Sequence, residues 1–247
     1  LSRPMSIRVY ALGEHSNGDE LADFGWIIDS RTRKRICEIK DENTEPAGGA
    51  EKNLKFDRAV AFPTGTYVLQ FITDDSHSYV DWNAAPPNDP LQYGVTLIGF
   101  SENDKSAFSL TSAVEDKNVI AQMIRVGNDE TRSASFTLKS DATVRVYALG
   151  ERGSRREMAD YGWIINAKTR EKAWTMDVSR TVHAGGASKN RMVDEVVALP
   201  KGTYTVYYQT DGSHSYRKWN SSPPFDPEHW GITITGEGDD FDMKKVE

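Results

Sequence analysis

Ala142-Thr-Val-Arg-Val-Tyr-Ala-Leu-Gly-Glu151 alternates apolar and polar side chains with the period of a half-buried strand, and Val-Tyr-Ala-Leu-Gly-Glu stands also at Val9 to Glu14. Placing Leu1 on Leu138 and holding a shift of 137 positions extends the match without a gap, Leu1 to Gly99 onto Leu138 to Gly236. Roughly 46 of about 100 aligned positions are identical. A repeat of this length divides the chain into two copies of one module.

Outward from that strand, Gly-Trp-Ile-Ile recurs at Gly25 to Ile28 and Gly162 to Ile165, and Ala-Gly-Gly-Ala at Ala47 to Ala50 and Ala184 to Ala187. The longest shared signature is Thr73-Asp74, Ser76 to Tyr79, Trp82-Asn83, Pro86-Pro87, Asp89-Pro90 and Gly94. It returns as Thr210-Asp211, Ser213 to Tyr216, Trp219-Asn220, Pro223-Pro224, Asp226-Pro227 and Gly231.

Period-two alternation in Val, Ile, Tyr, Thr and Trp predicts strands around 119 to 126, 134 to 139, 142 to 149, 162 to 167, 172 to 178, 192 to 199, 203 to 210 and 230 to 236. Asp29 to Arg33 and Asn166 to Arg170 read as hairpin turns, while Pro63-Thr-Gly65 and Pro200-Lys-Gly202 punctuate another pair of strands. Long helical periodicity is absent. Short strands with regular turns predict an all-β chain: two tandem homologous antiparallel β-sandwich, jelly-roll-like domains, at 1–105 and 106–247.

The first copy lacks the strand matching Val119 to Val126 and most of the one ending at Leu138, so its sheet has a missing edge, supplied elsewhere or left exposed. Glu102 to Asp116 reads as the connector, and the acidic end, Glu237 to Glu247, as a solvated tail or linker. Because the chain opens mid-pattern, it reads as part of a larger chain.

The 247 residues carry a formal charge of -7 and a pI near 5.4, which oppose binding to phosphate backbones, so no nucleic-acid partner is expected. No apolar run approaches bilayer length, and membrane insertion is not expected. The single cysteine, Cys37, aligns with Trp174, and both read as apolar bulk at one strand position.

Asp74 to Asp89 is proline-rich and without alternation, hence a long loop, of the kind that is functional or tightly self-packed. One reading makes it architectural: Tyr79 and Trp82 cover the sandwich edge, and His77, Ser76 and Asn83 bond the loop backbone. The other makes it a ligand site, with aromatic faces for sugars and a few directed polar groups. Its residues are Asp74, His77, Tyr79, Trp82, Asn83 and Asp89, with Asp211, His214, Tyr216, Trp219, Asn220 and Asp226 in the second copy.

A hydrolase would need Ser76 or Ser78 to meet His77 or another base, oriented by a carboxylate such as Asp74, and no Gly-x-Ser-x-Gly elbow is present. No metal or cofactor is assigned. Calcium is nonetheless compatible with the repeated Glu14, Asp23, Asp74 and Asp89, with Asp57 as a fifth, although the spacing is not that of an EF-hand. Zinc has only the repeated His77 and His214 to use. Glu14 and Asp23 read as a strand end and a turn cap before Gly25 rather than a glycosidase pair. Lys52 is expected to pair with Asp57 or a loop carboxylate, and the double glycines to permit a tight bend rather than a phosphate loop.

Phe136 to Leu138, Ala142 to Tyr147 and Leu199 to Val206, a Phe-x-Leu strand followed by Ala-Thr-Val-Arg-Val-Tyr and Leu-Pro-x-Gly-Thr-Tyr-x-Val, resemble the prepeptidase carboxy-terminal sandwich domains of secreted bacterial proteins. The resemblance covers about half of each module. It implies a secreted or cell-surface accessory domain without catalysis. The expectation is therefore a noncatalytic extracellular tandem binding module for a polysaccharide or a cell-surface protein. A structural module receiving a partner strand, and a hydrolase using the Ser-His-Ser-Tyr loop, are the alternatives.

Overall fold

Alternating β-branched and aromatic residues become strands because each pleat sends one side chain to the core and the next to the other face. The computed structural model describes residues 1–16, 21–74, 76–111, 117–155, 157–238 and 240–247. The chain is all-β, every ladder between strands is antiparallel, and it divides into two compact units, Leu1–Val114 and Glu115–Glu247.

The second unit contains β8 (Val119–Met123), β9 (Thr131–Leu138), β10 (Ala142–Glu151), β11 (Tyr161–Asn166), β12 (Lys172–Thr175), β13 (Val182–His183), β14 (Asn190–Leu199), β15 (Gly202–Gln209) and β16 (Gly231–Gly236). They form a five-stranded sheet, β13-β14-β10-β16-β8, and a four-stranded sheet, β12-β11-β15-β9. One buried cluster draws on both sheets, with Val144, Val146, Ala148, Ile232 and Ile234 from the first and Phe136, Ile164, Trp174, Tyr204, Val206 and Tyr208 from the second. Each fully buried side chain of this size contributes about 1.5–3 kcal/mol, so this cluster dominates the unit's stability.

Two sequence expectations are refined by this topology. Asn166 to Arg170 is the hairpin expected, its tip held by Asn166 Oδ1 accepting from the backbone of Lys168 and Thr169. Pro200-Lys-Gly202, in contrast, links β14 and β15, which lie in different sheets. The two-residue strand β13 escapes periodicity altogether, being too short to have a period. The acidic end also departs from the expected solvated tail. Thr137 and Glu247 exchange backbone hydrogen bonds at 2.7 and 3.0 Å, and the Lys139 amide donates to Lys245. The last residues therefore pair with the free edge of β9, whose unpaired amides would otherwise face solvent.

The first unit contains β1 (Met5–His15), β2 (Leu21–Asp29), β3 (Arg35–Glu38), β4 (Glu45–Pro46), β5 (Asn53–Phe62), β6 (Tyr67–Ile72) and β7 (Gly94–Gly99). Here β1 lies between β5 and β7, and its end also pairs with β2 through Glu14↔Asp23, joining all seven strands into one sheet. Cys37 and Trp174 are both buried apolar fill, as their alignment suggests.

Among the described residues β7 pairs only with β1 and β6 only with β2, so neither has the outer neighbour that β8 and β9 provide to β16 and β15. The Leu1 amino group reaches the Gly65 carbonyl at 2.6 Å, where Leu138 meets Gly202 in the second unit. Uncovered, the aligned apolar residues are exposed. Leu97 is 42% and Leu69 37% exposed, whereas their counterparts Ile234 and Val206 are at 0%.

Truncation should report this difference. Ile234→Ala is expected to cost about 2–5 kcal/mol and Leu97→Ala under about 1 kcal/mol in denaturant unfolding of the intact chain. Equal costs would mean that Leu97 is covered in solution.

Candidate functional site

In each unit the long loop after β6 or β15 folds back over the handover from β1 to β2, or β10 to β11. Close backbone approach makes the handover possible: a Cβ on Gly13 would lie 2.1 Å from the Asp23 carbonyl oxygen, and one on Gly150 2.1 Å from that of Asp160. The approach sets Glu14 opposite Asp23, so the expected strand end and turn cap face each other across a ladder.

At the centre of the loop His77 and His214 are fully buried. Asn53, also fully buried, donates its amide hydrogens to the carbonyls of Gly48 and Ala85, so its Oδ1 accepts from His77 Nε2 at 2.6 Å. His77 Nδ1 faces Asn83 at 3.0 Å, and Asn83 Oδ1 accepts from Lys52 Nζ at 2.6 Å. The copy repeats every contact: Asn190 bonds Gly185, Ser222 and His214, while Asn220 bonds His214 and Lys189. Trp82 and Trp219 each set an edge against their histidine at 5.1 Å. Both histidines adopt left-handed backbone, φ 48° and 51°, a strain of about 1–3 kcal/mol that this bonding holds in place.

The double glycines make the tight bend expected of them. A Cβ on Gly49 or Gly186 would come within 1.9 Å of the carbonyl oxygen of Pro86 or Pro223, so only glycine lets the proline segment lie against the bend.

Of the residues singled out as a ligand site, His77, Trp82 and Asn83, with His214, Trp219 and Asn220, are gathered in this network, and neither imidazole presents a face to solvent. Asp74 and Asp211 join the carboxylates described below. Tyr79 is half-exposed, but Tyr216 donates to Glu228 and lies under the Arg217 guanidinium. Asp89 and Asp226 lie apart, accepting from the hydroxyls of Tyr10 and Tyr147. Ser76 donates to Asp74, and the ring nitrogens of His77 face asparagines rather than a serine.

Lys52 takes neither Asp57 nor a loop carboxylate. It binds Glu14 at 2.7 Å across the end of the β1–β5 ladder where Asn53 faces Glu14, while Asp57 lies further along β5 and is held by two hydrogen bonds from Arg8. Lys189 binds Glu151 at 2.9 Å in the same way. These lysines close a charged cluster that sequence spacing gave no means to assemble: one carboxylate oxygen from each of Glu14, Asp23 and Asp74 lies within 4.8 Å of the others, and Glu151, Asp160 and Asp211 repeat it.

Burial pushes Asp23 up to about 6, against a hydroxyl hydrogen bond from Tyr93 and a backbone one from Asp74. Asp160 goes further, to about 8, again through burial; Asp211 and Glu151 add repulsion, and its counterpart to Tyr93 is Trp230, close by without an aligned hydrogen bond. Burial also lowers His214 to about 4, helped by the charge of Lys189.

Comparison with protein-family models, characterised proteins and solved structures returns no match.

The Asp160 shift gives a signed pH dependence. Its folded value, about 8, lies above the ordinary 3.8, so its contribution is fully present below pH 3.8 and lost as pH rises through 8. Glu151, Asp211, Lys189, Tyr208 and Trp230 surround the group. Asp160→Asn, which mimics the protonated form, is expected to raise the unfolding midpoint of the chain at pH 9 in chelator and to raise it much less at pH 5. The opposite His214 dependence, lost as pH falls from 6.5 to 4, is common to both proteins and cancels in the comparison. An equal shift at both pH values would show that Asp160 is ionised throughout.

Proposed function

We propose that the chain is a noncatalytic binding and assembly module, a tandem pair of antiparallel β-sandwiches whose first unit takes up an added polypeptide segment along β6 and β7. The observation that carries this reading is the exposure of Leu97 and Leu69 at positions where Ile234 and Val206 are fully buried. Strand addition supplies backbone hydrogen bonds to open edges and side chains to an uncovered apolar face.

The second unit supports a specific chemistry for the occupant. Its own cover is β8 and β9, whose inward residues are Ala121, Met123, Phe136 and Leu138. The segment that covers the first unit, whether an earlier part of the same chain or part of another, therefore carries that alternating pattern. An accessory role in a secreted or cell-surface protein accords with the resemblance to prepeptidase carboxy-terminal domains. A polysaccharide remains the second reading, favoured by the half-exposed ring of Tyr79, which a sugar face can stack on.

A synthetic peptide of residues 117–140 is expected to bind the intact chain one to one and raise the unfolding transition of the first unit. The same segment fused ahead of Leu1 should raise that transition without added peptide. If neither the peptide nor the fusion has an effect, the assembly reading fails. Retention on a polysaccharide resin that Tyr79→Ala abolishes would favour the second reading.

A further inference from the structure

The three-carboxylate cluster is unexplained by strand addition, and it occurs twice. In the first unit Glu14 Oε1 accepts from Lys52, Asp23 Oδ1 from the Asp74 amide, Asp23 Oδ2 from the Tyr93 hydroxyl, and Asp74 Oδ1 from the amide and hydroxyl of Ser76. Glu14 Oε2 is left buried without a hydrogen-bond partner among the described residues. Its side chain is only 6% exposed. In the second unit Glu151 Oε2 is orphaned likewise, on a side chain 9% exposed, and so is Asp160 Oδ2, on a residue at 0%. Buried anionic oxygens without donors are costly unless something positive satisfies them.

Charge defines the missing partner. Fully ionised, three carboxylates against one lysine carry two negative charges in each cluster, which one divalent cation neutralises; without the ion, burial favours a proton on Asp160 instead. Geometry allows it: oxygens within 4.8 Å of one another can share an ion at about 2.4 Å from each, the distance calcium takes. The donors are all oxygen, since both nitrogens of the nearby imidazoles are engaged, and this excludes a soft-metal site.

We propose that each unit binds one calcium ion, held by Glu14, Asp23 and Asp74 in the first and by Glu151, Asp160 and Asp211 in the second. The lysine keeps one oxygen of each glutamate and leaves the other to the ion. Because these groups join the strand handover to the long loop, the ion ties the loop to the sheet.

Calorimetry with calcium chloride on the intact, chelator-stripped chain tests this. Two ions per chain are expected, with terbium luminescence sensitised by tryptophan and displaced by calcium. Glu14→Gln and Glu151→Gln keep the side-chain shape and the acceptor for lysine; each should remove one ion, weakening that site by at least about tenfold, and the double variant should remove both. No binding at millimolar calcium, binding unchanged in the double variant, or magnesium binding as tight as calcium would overturn the proposal. So would a chain that ignores calcium but gains stability from either substitution, because a shared proton would then occupy the cluster.

Discussion

Each unit depends on one buried amide. Asn53 and Asn190 are wholly removed from solvent, and each uses its donors on two carbonyls from different segments and its acceptor on a histidine. The double-glycine bend, the proline segment and the loop centre are thereby fixed to the start of β5 or β14. No other side chain at that position offers two donors and one acceptor in so small a volume without charge. The left-handed histidine, the tryptophan against its edge and the lysine crossing to the glutamate all depend on that anchor.

Strands were legible in the sequence where alternation ran for five residues or more. The boundaries of β10, β14 and β16 come within two residues of the strands read at 142 to 149, 192 to 199 and 230 to 236. What failed to register was short or non-local. β13 has two residues, and the pairing of residues 245 to 247 with β9 joins segments more than a hundred positions apart. Neither leaves a period behind.

The site was half legible for the same reason. Duplication pointed to residues that the loop network and the carboxylate cluster bring together, since His77, Asn83, Asp74, Glu14, Asp23 and Lys52 all recur. It gave no distances. Whether Lys52 met Asp57 or Glu14 depended on the β1–β5 register, which sets Glu14 opposite Asn53 and leaves Asp57 further along the strand beside Arg8. Whether histidine faced solvent or core depended on left-handed backbone in the loop, at the histidine itself and three residues on at Val80 or Arg217.

The second unit retains β8 and β9 in its own core, buried against β16 and β15, and its last residues lie along the edge of β9. Among the described residues β6 and β7 have no such outer neighbours, and every strand of the second unit is paired within its own two sheets. In the language of polymerisation, β8 and β9 are donor strands already spent: copies could exchange them only by dismantling the second unit.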